Sequence, residues 1–246
     1  MAYSEYDKKV LPLLLLALVL LAVTLGILLR RRSERVRSIP TAIIALAILF
    51  NEIIKQRWNL LGEFNAFYLP FHYCSLFLIV IPLAELFGRR MSHVFRPIGA
   101  SMAFIVTVAM YVSPDGIIGN ASETFGTDFY RTSTFVFHHL IVMYLMLVIM
   151  LRLCKPRLRD AALVGAVGAV YAWVALKASY HFEANYCNFL TSNVPFMENF
   201  RLSYGQTKYT ALMCIVLTVG VALGSLVFIV IYRLIATCIR SIKKSP

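Results

Sequence analysis

The sequence predicts an all-α membrane protein with seven transmembrane helices, whose N-terminus lies outside and whose C-terminus lies in the cytoplasm. Of its 246 residues, 60% are hydrophobic and only 15% are charged. A soluble domain of this length has too little interior to hide so much apolar surface, so we expect lipid as the solvent. Each predicted helix approaches the roughly 20 residues that cross about 30 Å of hydrocarbon. The apolar runs are 10–30, 38–58, 70–88, 96–114, 133–153, 160–182 and 209–236, which leaves 1–246 as a single seven-helix transmembrane domain.

The basic residues alternate between successive loops, and this alternation predicts the orientation. The first, third and fifth loops and the C-terminal end hold 16 of the 24 basic residues but only three of the 12 acidic ones. The positive-inside rule places these segments in the cytoplasm. The net charge of +12 is therefore typical of a protein that faces anionic lipid head groups. We expect membrane lipids as partners and no nucleic acid.

The limits of several helices can also be justified from the sequence. The first run is a helix rather than a cleaved signal peptide, because it is long, precedes an arginine cluster and lacks a small-x-small cleavage site. The third run opens at Pro70, and the fourth ends at the turn sequence Pro114-Asp115-Gly116. In the last run, Gly220 and Gly224 are four residues apart, which favours close packing against another helix.

The polar residues of these runs concentrate near the ends predicted to be outer, and this predicts a pocket on that side. Pairing or snorkelling explains any one of them, but chance would scatter polar residues over both halves of the helices. The inner halves are instead almost purely apolar, and ionisable groups within a membrane usually face a cavity or each other. The candidate residues in the runs are Glu52, Lys55, His72, Cys74, His138, His139, Lys177 and His181.

Three kinds of site fit these residue types. A metal site needs histidines and carboxylates, but H-E-x-x-H and comparable spacings are absent, and we predict no metal and no cofactor. A nucleophilic site needs Cys74 beside a histidine from another helix, because the thiolate is the reactive form. His138 and His139 point about 100° apart on a helix, so at most one of them is that base. A small-ligand or ion site would use charged side chains: Glu52, Lys55 and Lys177.

One ordered set of residues resembles a known family. The set comprises Glu52 in a helix, the stretch Leu69-Pro70-x-His72-x-Cys74, a phenylalanine-rich segment with His138 or His139, and Asn185-Tyr186 after the sixth run. It resembles the YwaF-like family of integral membrane proteins, which is similar to the eukaryotic transmembrane protein 164 family. The resemblance covers residues 40–235, and the Leu-Pro-x-His-x-Cys stretch is its most specific part.

The resemblance implies a multi-helix membrane fold and acyl transfer to or from lipids. It implies that Cys74 is the nucleophile, which forms an acyl thioester, and that His138 or His139 is the base. His72, Glu52 and Asn185 would then orient or polarise the reacting groups.

From the sequence we therefore expect a membrane-embedded lipid acyltransferase with an outer-leaflet polar pocket, located in the plasma membrane. The expected substrate contacts are Glu52, Lys55, Lys177, His181 and Asn185. The alternatives are a binding or transport protein for a small ligand or ion that uses the Glu52/Lys55 pocket, and a structural subunit packed through its small-residue face. The sequence indicates no particular oligomeric partner.

Overall fold

The computed structural model describes residues 5–112, 129–192 and 194–242, and every regular element in these ranges is helical. The α-helices are α1 (Glu5–Leu29), α2 (Glu34–Arg37), α3 (Ile39–Leu61), α4 (Phe77–Glu85), α5 (Arg89–Val112), α6 (Phe129–Met150), α7 (Leu158–His181), α8 (Pro195–Tyr204), α9 (Gln206–Ile215) and α10 (Val221–Ile242). Short 3-10 turns occupy Ala66–Tyr68, Tyr73–Leu76 and Tyr186–Asn188, and a π-helical segment, Val216–Gly220, joins α9 to α10.

Within the described ranges, six stretches are long and apolar enough to cross a membrane, and they establish an integral membrane protein. They are Pro12–Leu29, Glu34–Leu61, Arg89–Val112, Phe129–Met150, Leu158–His181 and Gln206–Leu234. Each overlaps one of the predicted runs. α7 begins at a capping interaction, in which the Asp160 carboxylate accepts a hydrogen bond from the Arg157 backbone N–H (2.6 Å).

The predicted run at 70–88 folds differently from a full-length helix. Its helical part is Tyr73–Glu85, which rises about 20 Å at 1.5 Å per residue, short of the roughly 30 Å hydrocarbon thickness. Pro70 lacks an amide hydrogen and forces Leu69 out of the helical region, where it has φ −65° and ψ 152°. The chain therefore enters this helix through 3-10 turns. Seven crossings and the orientation of the termini stay predictions.

The centre of the bundle consists of α5 and α6. Of their spanning windows, 56% and 61% are buried, against 6% for α1. α6 packs against α1, α3 and α5, whereas α5 packs against α4, α6 and α10. The Gly224 face of α10 lies against Ile105 of α5, so close that a Cβ at Gly224 would lie 2.8 Å from the Ile105 side chain. Gly224 is thus used for packing within the chain, whereas the one side chain near a Cβ at Gly220 is that of Val216, one turn earlier.

A buried ion pair joins the helices at the end away from Cys74. Arg96 donates two hydrogen bonds of 2.9 Å to the Glu85 carboxylate, and the side chains are 5% and 0% exposed. Thr41 and Tyr144 donate further hydrogen bonds to the same carboxylate (2.6 and 3.3 Å). The expectation that this end is almost purely apolar is wrong here, because a charge is tolerated in the interior when it is paired and hydrogen-bonded.

Candidate active site around Cys74 and His138

A cavity of about 790 Å³ lies between α3, the turns before α4, α5, α6, the turn at Tyr186–Asn188 and the last helical stretch. Six of the predicted site residues line it, and they come from four separate parts of the chain. They are Glu52, Lys55, His72, Cys74, His138 and Asn185. The remaining lining includes apolar side chains of α5, α6 and the last helical stretch, so the cavity combines polar groups with a larger apolar surface.

Cys74 and His138 are in contact within this cavity. The Cys74 Sγ lies 3.1 Å from the His138 Nε2, and the His138 Nδ1 lies 2.7 Å from the Thr134 carbonyl oxygen. A carbonyl oxygen only accepts hydrogen bonds, so a neutral His138 carries its proton on Nδ1 and leaves a lone pair on Nε2. The Cys74 S–H therefore donates to Nε2. This is the arrangement in which an imidazole can remove the thiol proton.

The segment that precedes Cys74 is fixed by hydrogen bonds from three other side chains. The Tyr171 hydroxyl of α7 donates its one hydrogen to the His72 carbonyl oxygen (2.8 Å), with the Pro70 carbonyl oxygen 3.2 Å away as a second acceptor. The Tyr186 hydroxyl donates to the Ala66 carbonyl oxygen, and the Gln56 side chain donates to the Tyr68 carbonyl oxygen (2.8 Å). These bonds hold the irregular segment in place and add side-chain donors for its backbone oxygens, of which those of Ala66 and His72 also accept from the backbone N–H groups of Leu69 and Ser75. The sequence analysis did not identify Tyr171 as a site residue. The one indication in the sequence was a tyrosine hydroxyl within a mostly apolar run.

Glu52 and Lys55 form a buried pair on the α3 wall of the cavity. The Lys55 Nζ lies 2.7 Å from the Glu52 Oε2, and the side chains are 12% and 11% exposed. The Gln56 Nε2 donates to the other carboxylate oxygen (2.6 Å). Lys55 also lies over the Tyr130 ring, 5.8 Å from its centroid. The carboxylate holds the ammonium group at the cavity wall, where a positive charge can act on a negative charge that develops inside.

His72 and Asn185 line the cavity but direct their resolved hydrogen bonds elsewhere. The His72 Nε2 lies 3.1 Å from the Phe67 carbonyl oxygen. The Asn185 amide nitrogen donates to the Thr191 carbonyl (3.1 Å) and hydroxyl (2.8 Å) oxygens, and its oxygen accepts from the Leu190 backbone N–H (2.9 Å). Both amide hydrogens of Asn185 are thus in use, and the side chain shapes the loop at 185–191.

The turn after α7 is strained where it borders the cavity. Cys187 and Asn188 have φ values of 50° and 59°, in the left-handed region, which asparagine tolerates but which is uncommon for a cysteine. The Tyr209 hydroxyl donates to the Asn188 carbonyl oxygen (2.5 Å), and the Cys187 thiol points to the Phe71 carbonyl oxygen (3.5 Å). The free thiols of Cys74 and Cys187 therefore share one cavity.

Three predicted residues lie outside this cavity. His139 follows His138 but turns toward α1, where it borders a second, apolar cavity. Lys177 and His181 are exposed on α7 and do not line the cavity. The i, i+4 spacing gives them a common face, but the helix rotates that face outward. Among the described residues, no group of three histidine, cysteine or acidic side chains could hold a metal ion.

Comparison with known proteins identifies the family. Searches of curated proteins and of solved structures gave no match. The TMEM164 family model matches residues 3–232, which include every element that borders the cavity. The chain therefore belongs to the TMEM164 family.

Proposed function

We propose that this protein is a membrane-embedded lipid acyltransferase that carries the acyl group on Cys74. The observation that supports the proposal is the 3.1 Å contact between the Cys74 Sγ and the His138 Nε2, inside a cavity that is large and mostly apolar. A thiol beside a basic imidazole nitrogen is the arrangement of a cysteine nucleophile. The apolar surface suits an acyl chain, and the polar groups around Cys74 suit the ester to be cleaved.

The first half-reaction forms a thioester. His138 Nε2 accepts the Cys74 thiol proton, and the sulfur attacks the carbonyl carbon of a lipid ester, forming a C–S bond and an oxyanion. When the oxyanion collapses, the ester C–O bond breaks and the leaving oxygen takes the proton from His138. In the second half-reaction, His138 accepts the proton of an acceptor hydroxyl, whose oxygen attacks the thioester. The C–S bond then breaks, and the Cys74 sulfur regains the proton.

Two features would stabilise the oxyanion. Cys74 lies in the first turn of the helical stretch Tyr73–Glu85, and the first amides of a helix have no acceptor within the helix and carry a partial positive charge. The Lys55 ammonium group adds a fixed charge at the wall. Asn185, which the family resemblance suggests for a polarising role, has no spare amide hydrogen in this arrangement and instead holds the adjacent loop.

The proposed topology places this chemistry in the outer leaflet. The stretch Tyr73–Glu85, together with the turns before it, would complete a seventh crossing, with the N-terminus outside and the basic loops in the cytoplasm of a plasma membrane. Lys177 and His181, exposed on α7, would then contact lipid head groups rather than the reacting ester.

The experiment is mass spectrometry of the intact protein, purified with its lipids, before and after treatment with neutral hydroxylamine. We expect a fatty-acyl mass that hydroxylamine removes, that Cys74→Ala abolishes, and that the matched variant Cys214→Ala retains. Full acyl-transfer activity of both Cys74→Ala and His138→Ala toward lipid donors would refute the proposal.

The Glu52–Lys55 pair supports a second candidate, a binding or transport site for a small ligand or ion. The pair is buried and lines the same cavity, and ionisable pairs inside membrane helices commonly serve ion and substrate pathways. Under this alternative, Cys74→Ser would keep function, whereas Glu52→Gln or Lys55→Met would abolish it. Under the acyltransferase proposal, Cys74→Ser would lose the hydroxylamine-sensitive adduct.

A further inference from the structure

The second cavity is an apolar groove of about 910 Å³ between α1, α3 and α6. It extends from Leu13 to Leu25 along α1 and from Phe135 to Leu147 along α6. The ends of each stretch are twelve residue steps apart, or about 18 Å at 1.5 Å per residue. His139 is the one polar side chain among the described residues that line the groove.

His139 has an unsatisfied hydrogen-bonding atom. Its Nδ1 lies 2.8 Å from the Phe135 carbonyl oxygen, so the proton of the neutral ring is on Nδ1 and the Nε2 has a lone pair. The Nε2 is buried and has no partner in the described part of the chain. Buried polar atoms normally have a partner, and within a membrane an orphan is costly because no water is at hand. The lone pair needs a hydrogen-bond donor.

The surroundings of His139 restrict the donor. A water molecule needs two to four polar partners, and this groove offers one. A charged head group would be drawn into hydrocarbon without a counter-charge. The donor is therefore a neutral hydroxyl that belongs to an apolar molecule.

The position of His139 along the groove selects among neutral lipids. It lies four residues from Phe135 and eight from Leu147. The apolar groove therefore extends about 6 Å from His139 toward Phe135 and about 12 Å toward Leu147. A sterol or a protonated fatty acid carries its hydroxyl at one end and would leave the shorter part empty. In a diacylglycerol, the hydroxyl-bearing glycerol joins two flexible chains, which can occupy both parts.

A displacement of α1 can give access to the Nε2, because few residues hold this helix to the bundle. Only 6% of its spanning window is buried, against 22–61% for the other five stretches. Its close contact with α6 is at Ala22, which is buried, and at Gly26, where a Cβ would lie 3.2 Å from the Met150 Cβ. From these observations we propose that the α1–α3–α6 groove binds diacylglycerol, whose free hydroxyl donates to the His139 Nε2.

The test uses the full chain in phosphatidylcholine nanodiscs and a diacylglycerol that carries a photoreactive diazirine and an alkyne on one chain. We expect cross-links within 13–25 and 135–147. Unlabelled dioleoylglycerol should compete about tenfold better than its O-methyl ether, which cannot donate, since one buried hydrogen bond is about that strong.

His139→Phe should abolish the tenfold advantage of dioleoylglycerol over its ether in this competition. His139→Gln, which keeps an acceptor, should retain part of that advantage. The control His93→Phe, which alters an exposed histidine on α5, should retain the full advantage. Equal competition by the ether, stronger competition by cholesterol, or cross-links outside the two stretches would each overturn the proposal. Dioleoylglycerol and its O-methyl ether are compared on the unmodified protein, so this comparison tests the proposal even if a variant does not fold. The proposal does not depend on acyl transfer at Cys74.

Discussion

Replacing Glu85 by glutamine should be among the most destabilising single changes in this chain. The carboxylate is fully buried and receives hydrogen bonds from Arg96, Thr41 and Tyr144, which lie on three other helices. The substitution keeps the volume and removes the charge, so the buried guanidinium of Arg96 keeps only the partly exposed Glu34 carboxylate, 3.4 Å from its Nη1, as a counter-charge. Removing one partner of a buried pair typically costs about 3–5 kcal/mol of unfolding free energy, and because Glu34 stays in place we expect a loss near the lower end of that range.

The double variant Glu85→Leu with Arg96→Met separates charge from packing. It removes both charges together, and replacing a buried pair by apolar residues of similar size is often neutral or stabilising. We therefore expect the double variant to lose less unfolding free energy than Glu85→Gln alone. The measurement is reversible unfolding in mixed micelles, followed by the fluorescence of Trp58 and Trp173.

A less buried pair supplies the matched control. Glu198 and Arg201 on α8 form the same kind of carboxylate–guanidinium contact within one turn of helix, with side chains 26% and 24% exposed. Pairs near the surface contribute little to stability, so Glu198→Gln should shift the unfolding curve far less than Glu85→Gln. If Glu85→Gln were as harmless as Glu198→Gln, or if the double variant were the least stable of the three, the argument from the buried charge would fail.

Three further predictions concern the site and the packing. His138→Gln should slow thioester formation by about 10²–10⁴-fold, the usual contribution of a general base, while His93→Gln leaves the rate unchanged in the same time-resolved mass measurement. Tyr171→Phe removes a hydrogen bond that fixes the segment before Cys74, and should slow thioester formation in folded protein more than Tyr180→Phe, which alters an exposed tyrosine of the same helix. Gly168→Ala should cost about 1–3 kcal/mol in the unfolding assay, because its Cβ would collide with the Leu217 backbone carbonyl, whereas Gly220→Ala has room, with its nearest atom 3.8 Å away.

The sequence predicts the helices well and the interruption of one helix poorly. Hydropathy alone locates the six long stretches, because lipid demands a continuous apolar run wherever a helix crosses. It treats 70–88 as another such run, since Pro70 and His72 are outnumbered by apolar neighbours. The irregular start of that segment depends on hydroxyl donors from distant helices, above all Tyr171, and no local pattern reveals which backbone oxygen a remote side chain will reach.

Residue spacing predicts some members of the candidate site, and helix packing determines which of them reach the cavity. Polar clustering on one side brings Glu52, Lys55 and Cys74 to a common cavity, whereas the common face of Lys177 and His181 is turned outward by the rotation of α7. The spacing of two residues predicts that they share a face of the helix. The packing of the neighbouring helices determines whether that face points into the bundle or outward.

The adjacent residues His138 and His139 have the same local hydrogen bonding but different surroundings. Both rings bond through Nδ1 to the carbonyl oxygen four residues earlier, and both thus carry a lone pair on Nε2. The helix turn of about 100° between them gives one lone pair to the Cys74 thiol and the other to the α1 groove. Local chemistry makes the two side chains equivalent, and their separate surroundings assign one to a thiol and the other to a lipid hydroxyl. A change of helix rotation, rather than of residue type, would exchange these roles, so the assignment of His138 as the base depends on the packing of α6 against α3, α5 and α1.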